Sequence, residues 1–138
     1  MHFLFYKLII QNMKALTIWQ PYAQAIAIGL KKFETRSWPT KYRGKIAIHA
    51  SVKPLSKERK LLAEKYDIKN FSFGEIIVIA DLTDCILMTE NFIKSQPQSE
   101  LDLGNWCIGN YAWKLENIQI LTQPQKANGK QGLWDWQY

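Results

Sequence analysis

A run of β-branched residues in the middle of the chain constrains the fold more than any other feature. Gly74-Glu75 opens the apolar run Ile76-Ile-Val-Ile-Ala80. Such a run is typical of a strand that is buried on both faces. We expect the strand to continue through Cys85 to Leu87.

Shorter strands and helices are predicted on both sides of this run. Pro21 suits the first turn of a helix, and Ser56 can cap another helix, with Glu58 in its first turn. Five or more strands with two helices and one apolar core predict an α+β, mainly β fold: a small, partly open barrel with helices at its side. The predicted strands are 15–19, 32–36, 44–51, 111–121 and 133–136, the helices are 22–28, 57–66 and a short one at 89–94, and the polar loops are 95–104 and 123–132.

The segment between the first helix and the second strand concentrates charge. Gly29 is the expected C-cap of the helix, because glycine adopts positive φ at little cost. Lys31 falls in the turn that follows. Period two in the next strand places Lys32, Glu34 and Arg36 on one side and the two intervening side chains on the other. A glycine followed by charges of both signs and then by Trp38 indicates a charged pocket.

Length and charge indicate one domain that faces a polyanion. The chain has 138 residues and a net charge of +6, enough for one self-sufficient core. Residues 31–67 contain eleven Lys/Arg and four Asp/Glu, whereas the rest of the chain carries a net charge of −1. A basic segment of this kind is expected on a surface that binds nucleic acid. The alternative is a solvated basic surface without a partner.

No metal or organic cofactor is indicated by the sequence. Cys85 and Cys107 form no Cys-x-x-Cys pattern, and two free thiols are the expectation for a reducing compartment. His2 and His49 are too few and too far apart to anchor zinc. The expected location is the cytoplasm, without membrane association, and the expected state is a monomer.

The N-terminus is apolar but resembles neither a signal peptide nor a membrane span. Its apolar stretch is too short to cross a bilayer, and it has no basic start or small-residue cleavage site. Because Met13-Lys14 looks like a natural start, residues 1–12 are predicted to be an extension or an extra edge strand. Residues 13–138 then form the single domain.

Several short motifs follow one another in a distinctive order. They are Gln20-Pro21-Tyr22-Ala23, Gly29-x-Lys31-x-x-Glu34-x-Arg36, Ser37-Trp38, Tyr42-Arg43-Gly44-Lys45 and Ile48-His49-Ala50-Ser51. Over Lys14 to Tyr138 this order resembles a known family, the ASCH domain (activating signal cointegrator-1 homology). The resemblance implies a fold similar to the PUA domain: a β-barrel of about five to seven strands with two or three flanking helices, associated with RNA-binding proteins.

The resemblance also implies a ligand, which is RNA or another single-stranded nucleic acid, or a nucleotide or nucleoside. Arginines can hold phosphates bidentately, aromatic faces can stack on a base, and Glu34 can accept from an exocyclic amine. A structural Glu34–Arg36 ion pair and a core histidine are the competing interpretations. The residues expected to bind are Gln20, Gly29, Lys31, Lys32, Glu34, Arg36, Trp38, Tyr42, Arg43, His49 and Ser51.

One enzymatic branch of the family resembles an amidohydrolase acting on N4-acetylcytidine through a Lys, a Thr and a Glu. Carried over to this chain, the Lys is Lys31, but Glu34 occupies the position of the Thr. Glu75 and Glu116 are the candidates for the distant Glu. A hydrolase using Lys31 and Glu34 is therefore the alternative to a domain that only binds, and a protein-interaction module is a second alternative.

Overall fold

The computed structural model describes residues 11–138, and six strands and four short helices lie within them. The prediction for residues 1–12 lies outside the described residues, apart from Gln11 and Asn12. The strands are β1 (Asn12–Ile18), β2 (Phe33–Arg36), β3 (Gly44–Ala50), β4 (Glu75–Leu87), β5 (Tyr111–Lys126) and β6 (Leu133–Gln137), and the helices are α1 (Tyr22–Ala27), α2 (Lys57–Lys65), α3 (Glu90–Lys94) and α4 (Gln98–Asp102).

All six strands belong to one curled, half-barrel sheet in the order β2-β5-β4-β3-β1-β6. The β1–β3 pair is parallel and the other pairs are antiparallel. Three register shifts interrupt the pairing of β4 with β5. Because a bulge bends the strand that carries it and increases its twist, these shifts explain how two such long strands curl. The predicted mainly β class is confirmed.

The main apolar core lies between the sheet and α1. Ile46 and Ile48 of β3 point into it, and they meet Val78 and Leu82 of β4. Ala47 belongs instead to a smaller cluster with Trp134 and Trp136 on the other side. The two faces of β3 thus belong to different clusters, and the two tryptophans of β6 pack into the second one.

Two predicted loops contain regular structure. Residues 98–102 form α4, where Pro97 precedes the first turn and buried Glu100 reaches the start of β2. Strand β5 extends to Lys126 because Glu75 and Ile76 of β4 pair with its polar end. Pro124 falls inside the interval where the register shifts, so its missing N–H interrupts no regular ladder.

Candidate functional site

The turn after α1 directs Lys31 into the protein. Gly29 has a φ of +81°, which confirms its predicted role at the end of the helix. The next two backbone N–H groups, from Leu30 and Lys31, both donate to Ala25 O, at 3.0 and 3.1 Å. This tight reversal leaves the Lys31 side chain only 1% exposed.

Glu34 joins Lys31 and Arg36 in one charged cluster. Lys31 Nζ lies 3.5 Å from Glu34 Oε1, and Arg36 Nη2 donates to Glu34 Oε2 at 3.0 Å. Arg36 Nη2 also donates to Thr17 O at 3.2 Å, which ties β2 to the end of β1. The predicted common face of Glu34 and Arg36 is confirmed by this contact.

Two donors of the cluster are left over. Neither Lys31 Nζ nor Arg36 Nε has a hydrogen-bond partner within residues 11–138, although both atoms are buried. Glu34 is itself only 7% exposed. Its negative charge, 3.5 Å from Lys31 Nζ, offsets part of the cost of burying the ammonium. The cluster thus has two N–H groups without hydrogen-bond acceptors, next to the Glu34 carboxylate.

A cleft of about 530 Å³ opens over this cluster, and we call it the first cleft. Acidic, basic, amide and aromatic side chains meet in it. Burial raises the pKa of the Tyr22 phenol, while the nearby Arg59 charge acts in the opposite direction, so the phenol stays neutral and can donate. The lining residues are Thr17, Ile18, Trp19, Tyr22, Glu34, Thr35, Arg36, Leu103, Gly104 and Asn105.

An adjoining second cleft of about 620 Å³ shares Thr17, Trp19 and Arg36 with the first. Its other lining residues are Trp38, Lys130, Gln131 and Gly132. The Trp38 ring packs edge to face on Trp113, with centroids 4.7 Å apart, and Trp38 O accepts from Trp113 Nε1 at 3.3 Å. Trp38 is nevertheless 36% exposed, so one part of its ring is packed and another remains open.

Trp19 stands between the two clefts with cations against its ring. It is 44% exposed. Lys53 Nζ lies 3.8 Å from its centroid and Arg59 Cζ 4.8 Å, both within cation–π range. The Arg59 side chain donates to the carbonyls of Gln20 and Pro54, which fixes its position.

Three of the predicted site residues make hydrogen bonds within the fold and line neither cleft. Gln20 is buried, accepts from Gln24 N and donates to Ser72 O. Ser51 Oγ accepts from Lys53 N at 3.1 Å. His49 is also buried, and its ring contacts the side chain of Thr17 and the backbone of the β5–β6 connection.

Three further predicted residues, Lys32, Tyr42 and Arg43, line neither cleft, and Tyr42 is half-buried against the core. Lys32 is exposed, and its backbone N–H donates to Glu100. The Tyr42 hydroxyl donates to Lys45 O. Arg43 reaches towards Asp84 at 3.9 Å. Lys45 lies 3.5 Å from Asp81, so acidic groups of β4 offset part of the basic segment.

Much of the lining of the two clefts could not be predicted from the sequence. Thr17 and Trp19 end an apolar strand, which favours a core assignment, and Lys130 lies in a polar loop far along the chain. Only the tertiary structure brings them to Arg36. Of the candidates for the distant Glu, neither Glu75 nor Glu116 lines the clefts, and Glu116 pairs with Lys114 at 3.3 Å.

Residues 11–138 contain no cluster of His, Cys, Asp and Glu that could hold a metal ion. Among the helices of that same range, none has the length and apolar character needed to cross a membrane.

Comparisons with known proteins place the chain in a family. The sequence model of the ASCH domain matches residues 16–127. A search among curated proteins found no significant match. Among solved structures, the fold is similar to that of ASCH from Zymomonas mobilis, with a TM-score of 0.60 and 18% identity over 88% of this chain and 85% of the other. That identity is low enough for the likeness to show the fold alone.

Proposed function

The chain belongs to the ASCH domain family, and from that premise we propose that it binds nucleic acid, RNA in the first place, with a base held in the first cleft. One observation carries the proposal: Glu34 and Arg36 stand paired on the cleft wall, with the rings of Trp19 and Tyr22 in the same lining. A fixed acceptor, a fixed donor and aromatic faces are what recognition of an unstacked base requires.

The chemistry of the pair favours a base edge over a bare phosphate. A phosphate site would not include Glu34, because a carboxylate repels the ligand. The same carboxylate accepts well from an exocyclic amine such as cytosine N4. Arg36 supplies the neighbouring donor, and its two existing hydrogen bonds hold the guanidinium in place before a ligand arrives.

Binding of labelled single-stranded RNA, followed by fluorescence anisotropy at low and moderate salt, tests the proposal. Arg36→Gln should weaken binding by at least about tenfold, since a charge-assisted contact contributes about 1.5–3 kcal/mol. Lys94→Gln is the matched control, because Lys94 carries the same charge on α3 and lines neither cleft. Equal losses in the two variants would contradict binding at the first cleft, and single-stranded DNA of the same sequence tests the preference for RNA.

The buried ammonium of Lys31 supports one alternative, the amidohydrolase. The Lys31 ammonium lies 3.5 Å from Glu34 Oε1 and has no hydrogen-bond partner within residues 11–138, so it can orient the Glu34 carboxylate towards a water. Incubation with N4-acetylcytidine, followed by chromatography, tests this alternative, with Lys31→Met as the inactive comparison. Turnover that persists in Lys31→Met would exclude the mechanism. Absence of both turnover and RNA binding would favour the protein-interaction module.

A further inference from the structure

We propose that the two clefts are consecutive subsites of one groove, so that the ligand is a single strand of at least two nucleotides and not an isolated nucleoside. This inference rests on the proposed function, which requires only the first cleft. Thr17, Trp19 and Arg36 line both clefts, so the two clefts adjoin one another. Each volume is within the range of a small-ligand pocket.

The two clefts differ in charge, and the difference assigns them different tasks. The first contains Glu34, whereas the lining of the second includes Arg36 and Lys130 and no acidic residue. A cleft with cations and a tryptophan face stacks any base and balances a phosphate charge. The first subsite therefore selects the base, and the second accepts the neighbouring nucleotide with little regard to its identity.

Trp19 lines both subsites and has two cations against its ring. Lys53 Nζ and Arg59 Cζ lie 3.8 and 4.8 Å from the ring centroid, whereas the charge of Arg36 is already paired with Glu34. The phosphate that links two consecutive nucleotides would pass close to Trp19. The positive charges of Lys53 and Arg59 would stabilise the negative charge of that phosphate.

The loop that carries Lys130 is held against the groove by His49. Because a carbonyl only accepts, the 2.7 Å contact of His49 Nε2 with Ala127 O places the proton on Nε2. In the tautomer with its proton on Nε2, Nδ1 accepts from the Thr17 hydroxyl at 3.2 Å. Gly129 packs directly on this pair, since a Cβ there would lie 2.8 Å from Thr17 Oγ1. The second subsite is thus built on a fixed loop.

Calorimetric titration of short ligands tests the inference. The probes are cytidine monophosphate, cytidine-containing dinucleotides in both orders, and the same dinucleotides with an abasic second position. We expect the better dinucleotide to bind at least about tenfold tighter than the mononucleotide, and the abasic form to lose most of that gain. The quantity compared between proteins is this ratio of affinities.

Variants of the second cleft should lower the ratio selectively. Trp38→Ala should bring it close to one, whereas Trp38→Phe should keep most of it because a ring remains. Lys130→Gln should lower it by several-fold because the second cleft loses a positive charge, and because Lys130 is exposed this variant tests the inference even if Trp38→Ala fails to fold. Lys94→Gln should leave the ratio unchanged.

The outcomes separate this inference from the function on which it rests. If the mononucleotide binds and the dinucleotide binds no tighter, the second subsite is wrong while base binding in the first cleft stands. A gain that survives both Trp38→Ala and Lys130→Gln places the second nucleotide elsewhere and overturns the inference. Failure of every probe to bind overturns the proposed function together with the inference.

Discussion

At the scale of single residues, the two members of the buried Lys31–Glu34 pair differ in the number of their ionic partners. Glu34 has a second partner in Arg36, whereas the only carboxylate at ion-pair distance from Lys31 within residues 11–138 is Glu34. A variant that leaves a buried charge without its partner loses several kcal/mol of stability. A variant that removes the buried charge itself loses less, because no unpaired charge remains. The two halves of the pair should therefore respond differently to substitution.

Glu34→Gln should lower the free energy of unfolding by about 3–5 kcal/mol, because it leaves the Lys31 ammonium buried without a counter-charge. Lys31→Met keeps an unbranched side chain and leaves Glu34 paired with Arg36, so it should lower the free energy of unfolding clearly less. Urea denaturation of both variants measures the difference. A Lys31→Met protein as unstable as the Glu34→Gln protein would show that the ammonium itself stabilises the fold.

Gly129→Ala is a second prediction at this scale. Its Cβ would meet Thr17 Oγ1 at 2.8 Å and His49 Cε1 at 2.9 Å, so the loop must move. We expect a loss of about 1–3 kcal/mol in unfolding free energy, together with a lower ratio of dinucleotide to mononucleotide affinity. Asn128→Ala, at the exposed neighbouring position, should change neither quantity, and equal effects of the two variants would count against the fixed loop.

At the scale of elements, α4 fixes the start of the strand that carries the charged cluster. Glu100 is 2% exposed, and its carboxylate accepts from the backbone N–H groups of Lys32 and Phe33 at 3.0 and 3.1 Å. Helix α4 is in turn tied to α2, because Asp102 accepts from Lys65 and from the Tyr66 hydroxyl. Both contacts depend on a helix that has only five residues.

Glu100→Ala should destabilise the protein by at least about 2 kcal/mol, since two buried N–H groups lose their acceptor. The first cleft should be affected too, because β2 begins at Phe33. Thermal unfolding and RNA affinity are the two measurements. Glu90→Ala removes only an exposed ion pair with Lys94, so it should change stability and RNA affinity very little. If Glu90→Ala lowered them as much as Glu100→Ala, the proposed role of Glu100 in fixing the start of β2 would be wrong.

The Asp102 contact predicts a response to acid. Hydrogen bonds from Lys65, Tyr66 and Gln98 hold the pKa of Asp102 well below its ordinary range. A carboxyl with a depressed folded-state pKa stabilises the fold above its unfolded pKa, about 3.9, and this contribution is lost as the pH falls towards the folded value. The gap in stability between the protein and Asp102→Asn should therefore narrow below about pH 4, as measured by urea denaturation across pH. A gap that is constant with pH would contradict the linkage.

Local signals in the sequence were sufficient for most elements. The Gly29 end of α1, the Ser56 cap of α2 and the apolar run of β4 each follow from residues within a few positions, and the structure confirms them. The end of β5 and helix α4 were missed because their stability comes from distant partners. Gln125 is a strand residue because Ile76 pairs with it, and no property of its own neighbours says so.

At the scale of the whole molecule, the basic character of residues 31–67 does not translate into one basic surface. Lys45 faces Asp81, Lys65 faces Asp102 and Lys31 is buried. Only Arg36 of this segment lines both clefts, where Lys130 joins it, and Lys53 and Arg59 stand on Trp19 between them. Charged residues of the site that are close in sequence, such as Glu34 and Arg36, could be predicted. Those that come from distant segments, such as Lys130, could not.

This distribution predicts a moderate dependence of RNA binding on salt. Each neutralised phosphate of a single strand contributes about −0.7 to the slope of log affinity against log salt. Four cations at the groove give a slope of about −3, whereas the eleven basic residues of the segment would give about −8. Anisotropy titrations across a salt series measure the slope. A value near −8 would mean that the ligand covers the surface well beyond the groove.

Thr17 links the beginning of the described chain to its end. Its carbonyl accepts from Arg36, and its hydroxyl accepts from the indole N–H of Trp134 at 3.1 Å, next to His49. Trp134 belongs to β6, which pairs with β1 along the sheet edge. In a chain emerging from the ribosome the charged turn is therefore made early, but Thr17, which lines both clefts, gains its contact with Trp134 only after β6 has been synthesised.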